Sequence, residues 1–166
     1  MQLTQFSDFS LRMLLYLAAY TDRPVSIAEI SRAYGISYHH LVKVGSLLVQ
    51  KKLVNAQRGR NGGLSLAHPA SEIRIGEVVM ATEPNFHLVE CFDAEHDTCP
   101  ITPVCGLKRA LFEARRDFLA TLNRYTLADV IAKKEPLVRI WTLRIATPVP
   151  VGSVDPGSDA GSGEVA

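Results

Sequence analysis

Cys91, Cys99 and Cys105 are the only cysteines of the 166-residue chain, and they fall in one short run with the spacing Cys-x7-Cys-x5-Cys. Pro100 and Pro103 lie inside that run. Proline fixes φ and removes a backbone donor, so the run reads as a rigid loop and not a helix. A rigid loop bearing three thiols can aim them at one point. Thiolates are soft ligands that select zinc, copper(I) or iron–sulfur clusters. Three ligands leave a tetrahedral site one short, so a fourth must come from elsewhere. Two other readings compete. Cysteines are often buried as small inert hydrophobes, but this loop is polar and acidic, a poor place to bury a thiol. A redox disulfide would leave one thiol over.

The elements that must position this loop can be read along the chain. Phe6, Phe9, Met13, Leu14 and Leu17 recur at helical steps, which predicts an amphipathic helix over 6–20. Thr4, Ser7 and Asp8 sit where such residues cap a helix or favour its dipole. Ser26 with Glu29 three residues later is a capping box, and Gly35 is a helix stop, so 27–34 is a short helix. Ser37 opens a third helix over 38–51 with Leu41, Val44, Leu48 and Val49 facing inward. Two short helices joined by a tight glycine turn make a helix-turn-helix. Alternating apolar residues then flank an Asn61-Gly62 turn, which marks a β-hairpin. This order of elements is a winged helix. The expected fold is therefore mainly α, with a small hairpin wing.

Residues 73–81 read as a further short helix, and the cysteine loop follows. From Gly106 a long helical pattern runs through Tyr125, with Leu107, Leu111, Ala114 and Phe118 forming a heptad seam. A small winged helix offers little surface for so long a helix, so its seam is expected to pair two copies in a homodimer. Thr126 caps another short helix ending near Ile131. The expected division is a winged helix-turn-helix domain at 1–83, a cluster-binding loop at 84–105, a dimerisation helix with a C-terminal helical segment at 106–147, and a disordered Pro/Gly/Ser-rich tail at 148–166.

Charge is distributed unevenly around a formal net value of +1. Residues 1–70 carry eight Lys/Arg against three acids, a balance of +5. Residues 71–105 carry Arg74 against seven acids, a balance of −6. A basic module thus precedes an acidic, cysteine-bearing one. Two solvated faces of opposite sign would give the same numbers, but the basic half also holds the helix-turn-helix. Its second helix presents Ser37, Tyr38, His39 and His40 at the end that reaches base edges, with Lys43 one turn on and suited to a phosphate. Arg58, Arg60 and Asn61 sit at the glycine-rich wing tip, where arginine commonly enters a minor groove. No Lys-Ser/Thr follows at phosphate-loop spacing, which argues against a nucleotide site. A redox or iron–sulfur enzyme would need a nucleophile–base pairing that the chain does not suggest. The run Met13–Tyr20 is too short to span a bilayer and lacks the layout of a signal peptide, so a cytoplasmic protein with reduced thiols and no membrane partner is expected.

The chain resembles the Rrf-two family of winged-helix, iron–sulfur-dependent transcription regulators. The opening Met1-Gln2-Leu3-Thr4 with Phe6, Asp8 and Leu11-Arg12, the wing 58–63, the run 73–79, the loop 99–108 and Tyr125-Thr126-Leu127-Ala128-Asp129 carry the likeness, which extends to about Lys133. Within the family it is most similar to the nitric-oxide-sensing repressors. The resemblance implies a homodimeric repressor on an operator in double-stranded DNA, with nitric oxide as signal. It implies a 2Fe–2S or 4Fe–4S cluster held by Cys91, Cys99 and Cys105, with Asp8 donated by the partner subunit as fourth ligand. His87 and His96 are local alternatives for that ligand. A sister branch uses a histidine just after its last cysteine, and none stands in Gly106-Leu107-Lys108-Arg109. The long gap between Cys91 and Cys99 is similar to the iron-responsive branch. An iron- or redox-responsive regulator and a winged-helix protein with a structural zinc are therefore the alternatives.

Overall fold

The computed structural model describes residues 2–59 and 62–147. Helix α1 (Gln5–Ala19) starts at Thr4, whose hydroxyl accepts the Ser7 N–H at 3.2 Å. Its apolar stripe, Met13, Leu14 and Leu17, is removed from water, and Phe6 and Phe9 pack against the same core. Helix α2 (Ile27–Tyr34) is capped by Ser26, which accepts the Glu29 N–H at 3.2 Å. Only half of the expected capping box forms. The Glu29 carboxylate accepts instead from the Tyr16 hydroxyl at 2.9 Å and from both terminal nitrogens of Arg23. Those partners outcompete one backbone N–H because a guanidinium offers charge and two parallel donors. Gly35 closes α2 at φ 68°, a left-handed conformation that glycine adopts without a Cβ clash.

Helix α3 (Tyr38–Gln50) buries Leu41, Val44 and Leu48 as expected. Val49 is a correction: it is 37% exposed. It follows Leu48 directly, and the 100° step per residue turns it off the buried stripe. Strands β1 (Val54–Gln57) and β2 (Gly63–Leu66) pair antiparallel from Val54↔Leu66 to Gln57↔Gly63. The hairpin is docked by a second pairing, Val25 N–H to Leu64 O at 2.9 Å and the reverse at 2.8 Å. A Cβ on Gly63 would lie 2.6 Å from the Val25 carbonyl oxygen, so the wing joins the body where only glycine fits. The expected tip residues Arg60 and Asn61 lie outside the described residues.

Helix α4 (Ile75–Thr82) packs on α1, and Thr82 donates to the buried Ser7 hydroxyl at 2.8 Å. The cysteine run is a loop, as its prolines predict, with single 3₁₀ turns at Glu90–Phe92 and Thr102–Val104. Helix α5 (Gly106–Leu122) ends three residues before the expected Tyr125. Asn123 to Thr126 bend back onto the start of α4 through Ile75 N–H to Tyr125 O and Leu127 N–H to Ile73 O, both 2.9 Å. Helix α6 (Leu127–Val130) has a complete capping box between Thr126 and Asp129. Helix α7 (Lys134–Ala146) then returns to the helix-turn-helix. Its Trp141 is buried, with ring centroids 4.8 Å from Tyr16 and 5.6 Å from Tyr34. The core built mainly by residues 1–83 is thus completed by Leu127 and Trp141. The tail at 148–166 lies outside the described residues.

Two stability predictions follow from the core around Tyr16. Trp141→Ala should cost about 3 kcal/mol, the usual figure for emptying a buried aromatic site, and Trp141→Phe clearly less. Urea unfolding followed by circular dichroism at fixed protein concentration measures both. Hydrogen bonds from Arg23 hold the Glu29 carboxyl below its ordinary value of 4.5. A lowered folded value means that this contribution is complete above about pH 4.5 and is lost as pH falls through the folded value. Glu29→Gln should therefore lower the melting temperature at pH 7 and flatten its decline in acid. Parallel pH profiles for the two proteins would disprove the assignment.

Candidate functional site: recognition face and cysteine loop

The buried stripe of α3 decides which of its residues face out. With Leu41, Val44 and Leu48 held in the core, His39 and Lys43 are exposed on the opposite side, and Tyr38 and His40 are exposed on its two flanks. Ser37 precedes them, half-buried, and its hydroxyl makes no capping bond to α3. The Tyr38 and His39 rings meet edge to face at 5.9 Å. The His40 ring stacks at 6.2 Å on Phe9 of α1, so the first turn of α3 is referenced to the helix that carries Asp8. Arg58 is exposed just beyond β1. The structure therefore gathers Ser37, Tyr38, His39, His40 and Lys43 on one helix end. This end offers ring nitrogens, hydroxyls and an ammonium, which suits groove edges and phosphates.

The cysteine loop is organised by its own carboxylates. Glu90 accepts from the Thr98 N–H at 2.7 Å and the Thr98 hydroxyl at 2.6 Å, which holds its carboxyl below the ordinary range. Asp97 accepts from the Cys99 N–H and the Thr102 hydroxyl, both at 3.1 Å. Asp93 is held low chiefly by His96, whose Nδ1 lies 2.9 Å away, while His87 Nδ1 is at 3.7 Å. These acids satisfy loop backbone and imidazoles. Cys105 occupies the N-cap of α5, where its sulfur accepts the Lys108 N–H at 3.4 Å.

All three cysteines are free thiols and half-buried. In kind, this donor set fits an iron–sulfur cluster or zinc. Among the described residues no three His, Cys, Asp or Glu side chains are gathered closely enough to hold an ion. The thiols share a loop without sharing a point, which is less than the sequence-based expectation of convergence. Asp8 is not brought to them within one chain. It forms a two-pronged pair with Arg12 of its own helix, at 2.9 Å from Nε and 2.7 Å from Nη2. Arg12 in turn lies 6.0 Å from the Tyr34 ring centroid on α2.

Sequence reasoning missed two groups around these sites. Arg144 of α7 lies against the turn of the helix-turn-helix, with Nη2 3.3 Å from where a Cβ on Gly35 would stand. Arg115 of α5 touches both Phe92, beside Cys91, and Phe112. The Phe112/Arg115 spacing on α5 is visible in the sequence, but their partner Phe92 is far away along the chain.

Comparison with known proteins agrees with this architecture. A family model named Rrf2 and described as an iron-dependent transcriptional regulator matches residues 3–133. The chain is 45% identical over 147 residues to the HTH-type transcriptional regulator NsrR of Bacillus subtilis, covering 87% of this chain and 99% of that one. It is equally 45% identical over 145 residues to the regulator of the same name from Halalkalibacterium halodurans, with the same shares covered. Among solved structures, T. potens IscR superposes with a TM-score of 0.65 at 20% identity, over 82% of this chain and 90% of that one. CymR of B. subtilis, described as a global cysteine regulator, gives 0.64 at 24% identity, over 80% and 97%. At these identities the two structures speak for the fold.

Proposed function

The chain belongs to the Rrf2 family of transcriptional regulators, and from that premise we propose that it is a nitric-oxide-sensitive repressor whose operator binding is controlled by an iron–sulfur cluster. One observation carries this reading. A single chain joins an exposed recognition face on α3 to a loop of three free thiols, and the loop ends at the N-cap of the long, unburied helix α5.

Cys91, Cys99 and Cys105 would hold a 2Fe–2S or 4Fe–4S cluster, with Asp8 of a partner subunit as the fourth ligand. The free thiols and the helix N-terminus at Cys105 support the cysteine set. Asp8 is half-exposed in the first turn of α1, where it pairs with Arg12, and would have to leave that pair to serve as ligand. When bound, the cluster supplies iron that nitric oxide can ligate. The rest is done by the chain. Helix α5 pairs two protomers through Leu107, Leu111, Ala114 and Phe118. The dimer sets the distance between two α3 helices, which must match half-sites about one turn of DNA apart. A small rotation between protomers breaks that match. Ser37, Tyr38, His39 and His40 read base edges, Lys43 takes a phosphate, and Arg58, Arg60 and Asn61 enter the adjacent minor groove. The protein acts by binding and not by catalysis. No helix among the described residues is long and apolar enough to cross a membrane. Free thiols suit the reducing cytoplasm, where we place it.

An iron-responsive regulator is the second reading, favoured by the seven-residue gap between Cys91 and Cys99. Anaerobic reconstitution followed by nitric oxide titration separates the two. Absorbance reports the cluster, and fluorescence anisotropy reports binding to a duplex selected by the protein. The proposal expects a brown protein that bleaches at a few nitric oxide per cluster and loses affinity by about tenfold or more, within the usual range of allosteric coupling. A brown protein indifferent to nitric oxide but released from DNA by iron depletion favours the iron-responsive reading. A colourless zinc protein ends both.

The recognition face makes a separate prediction. Lys43→Ala should weaken binding to all sequences alike and reduce the slope of log K against log salt by about 1. His40→Ala should cost about 1–3 kcal/mol on the selected duplex and relax preference at one base position. Wild-type affinity and selectivity in both variants would remove α3 from the interface.

A further inference from the structure

We infer that Arg115 is a positioning residue for Cys91: with Phe112 it clamps the Cys91 arm of the cysteine loop onto α5. Its guanidinium carbon lies 4.8 Å from the centroid of the Phe92 ring and 4.8 Å from that of Phe112. The two rings meet edge to face at 6.4 Å. Arg115 Nη1 also donates to the Phe86 carbonyl at 3.3 Å. One side chain of α5 therefore holds the loop at two points, before and after Val89.

This is not a neutralising arginine. The loop is rich in carboxylates, yet among the described residues none pairs with Arg115, whereas Arg109 pairs with Glu113 and Arg116 with Asp117 on the same helix. Arg115 takes aromatic faces and a carbonyl instead, contacts that fix orientation through a planar guanidinium. Cys91 sits between Glu90 and Phe92 in one 3₁₀ turn, closed by the Phe92 N–H to Val89 O at 3.0 Å. Pinning the Phe92 ring pins that turn and the thiol beside it.

The clamp gives α5 hold of both ends of the thiol run. Cys105 caps the helix, and the Cys91 arm is fastened at Phe112, about 10 Å further along at 1.5 Å per residue. Cys99 lies between them and is tied within the loop, its N–H donating to Asp97. Phe112 and Arg115 lie to one side of the Leu107–Leu111–Ala114–Phe118 seam, with Arg115 one turn on from Leu111, so the clamp adjoins the seam. A change at the thiols is thereby passed to the helix that would pair two protomers. This role rests on the reading of Cys91 as a cluster ligand.

The test uses the full chain, reduced and anaerobic, with Arg115→Ala, Phe112→Leu and the double variant. Pulsed iodoacetamide labelling with fragment mass spectrometry reads each cysteine separately. Cys91 should be alkylated about three- to tenfold faster in either single variant, the scale set by losing one or two cation–π contacts. Cys99 should be unchanged, and the double variant should be no faster than the singles. Arg115→Lys, which keeps charge but cannot span both rings, should fall between. The same proteins are then reconstituted, and cluster loss to a chelator is followed by absorbance; the alanine variant should lose it faster by a similar factor. An unchanged Cys91 rate overturns the clamp, and so does equal acceleration of all three cysteines with a lowered melting temperature. If the wild-type chain takes up no cluster, the ligand reading of Cys91 falls, while the labelling pattern still decides whether Arg115 positions it.

Discussion

The apolar stripe of α1 has to leave water, and the arrangement of every other element depends on how that is done. Met13, Leu14, Tyr16 and Leu17 are covered by α3, α4, α6 and β2 together, and Trp141 of α7 closes the remaining side. Full burial of such side chains is worth about 1.5–3 kcal/mol each, more than any surface ion pair of this protein can offer. The opposite side of the same helix carries Asp8 and Arg12, and its Phe9 touches His40. The helix that organises the core is thus also the one that borders the exposed first turn of α3.

The chain changes character where that core ends. From Glu83 to Thr126 no side chain is buried, although this stretch includes the cysteine loop and all of α5. Leu107 is 67% exposed and Phe112 51%. A cavity of about 520 Å³ opens where Leu111 and Phe118 face Leu3, Thr4 and Phe86. Segments with few buried apolar contacts open at low free energy, and switching elements are drawn from them. A ligand bound there could therefore act on this stretch without unfolding the core of the helix-turn-helix.

Much of the fold was legible because its signals are local. Thr4, Ser26 and Thr126 cap helices where their side chains reach the next N–H groups, Gly35 stops α2, and Leu41, Val44 and Leu48 mark the inner face of α3. The wing follows from alternation around a glycine turn. What stayed hidden is non-local. Trp141 finds its aromatic pocket only once α1 and α2 are packed, so the return of α7 has no signature in its own sequence. Glu29 looks like half of a capping box until Arg23 and Tyr16 are brought beside it. Arg115 looks like one more surface charge until Phe92 folds onto α5. The cysteine spacing placed three thiols on one loop but could not give their separations, because a loop of carboxylate-capped turns follows its own hydrogen bonds.

Helix α1 links the Asp8 carboxylate to the helix-turn-helix through its packing. Asp8 lies in the first turn of α1, and Thr4 just before it accepts no slack: its N–H and hydroxyl both donate to Glu83, at 2.9 and 3.1 Å, at the end of α4. The helix is close-packed along its core side as one body, and close-packed interiors transmit strain. The neighbours of that body are Tyr34 of α2, reached through Arg12, and His40 of α3, reached through Phe9. Both belong to the helix-turn-helix. Exchange of the Asp8 carboxylate between Arg12 and a metal would therefore be felt at the support helix and at the first turn of the recognition helix together. Were α3 to hold DNA, linkage would require it to bias that exchange by the same amount as the exchange biased DNA.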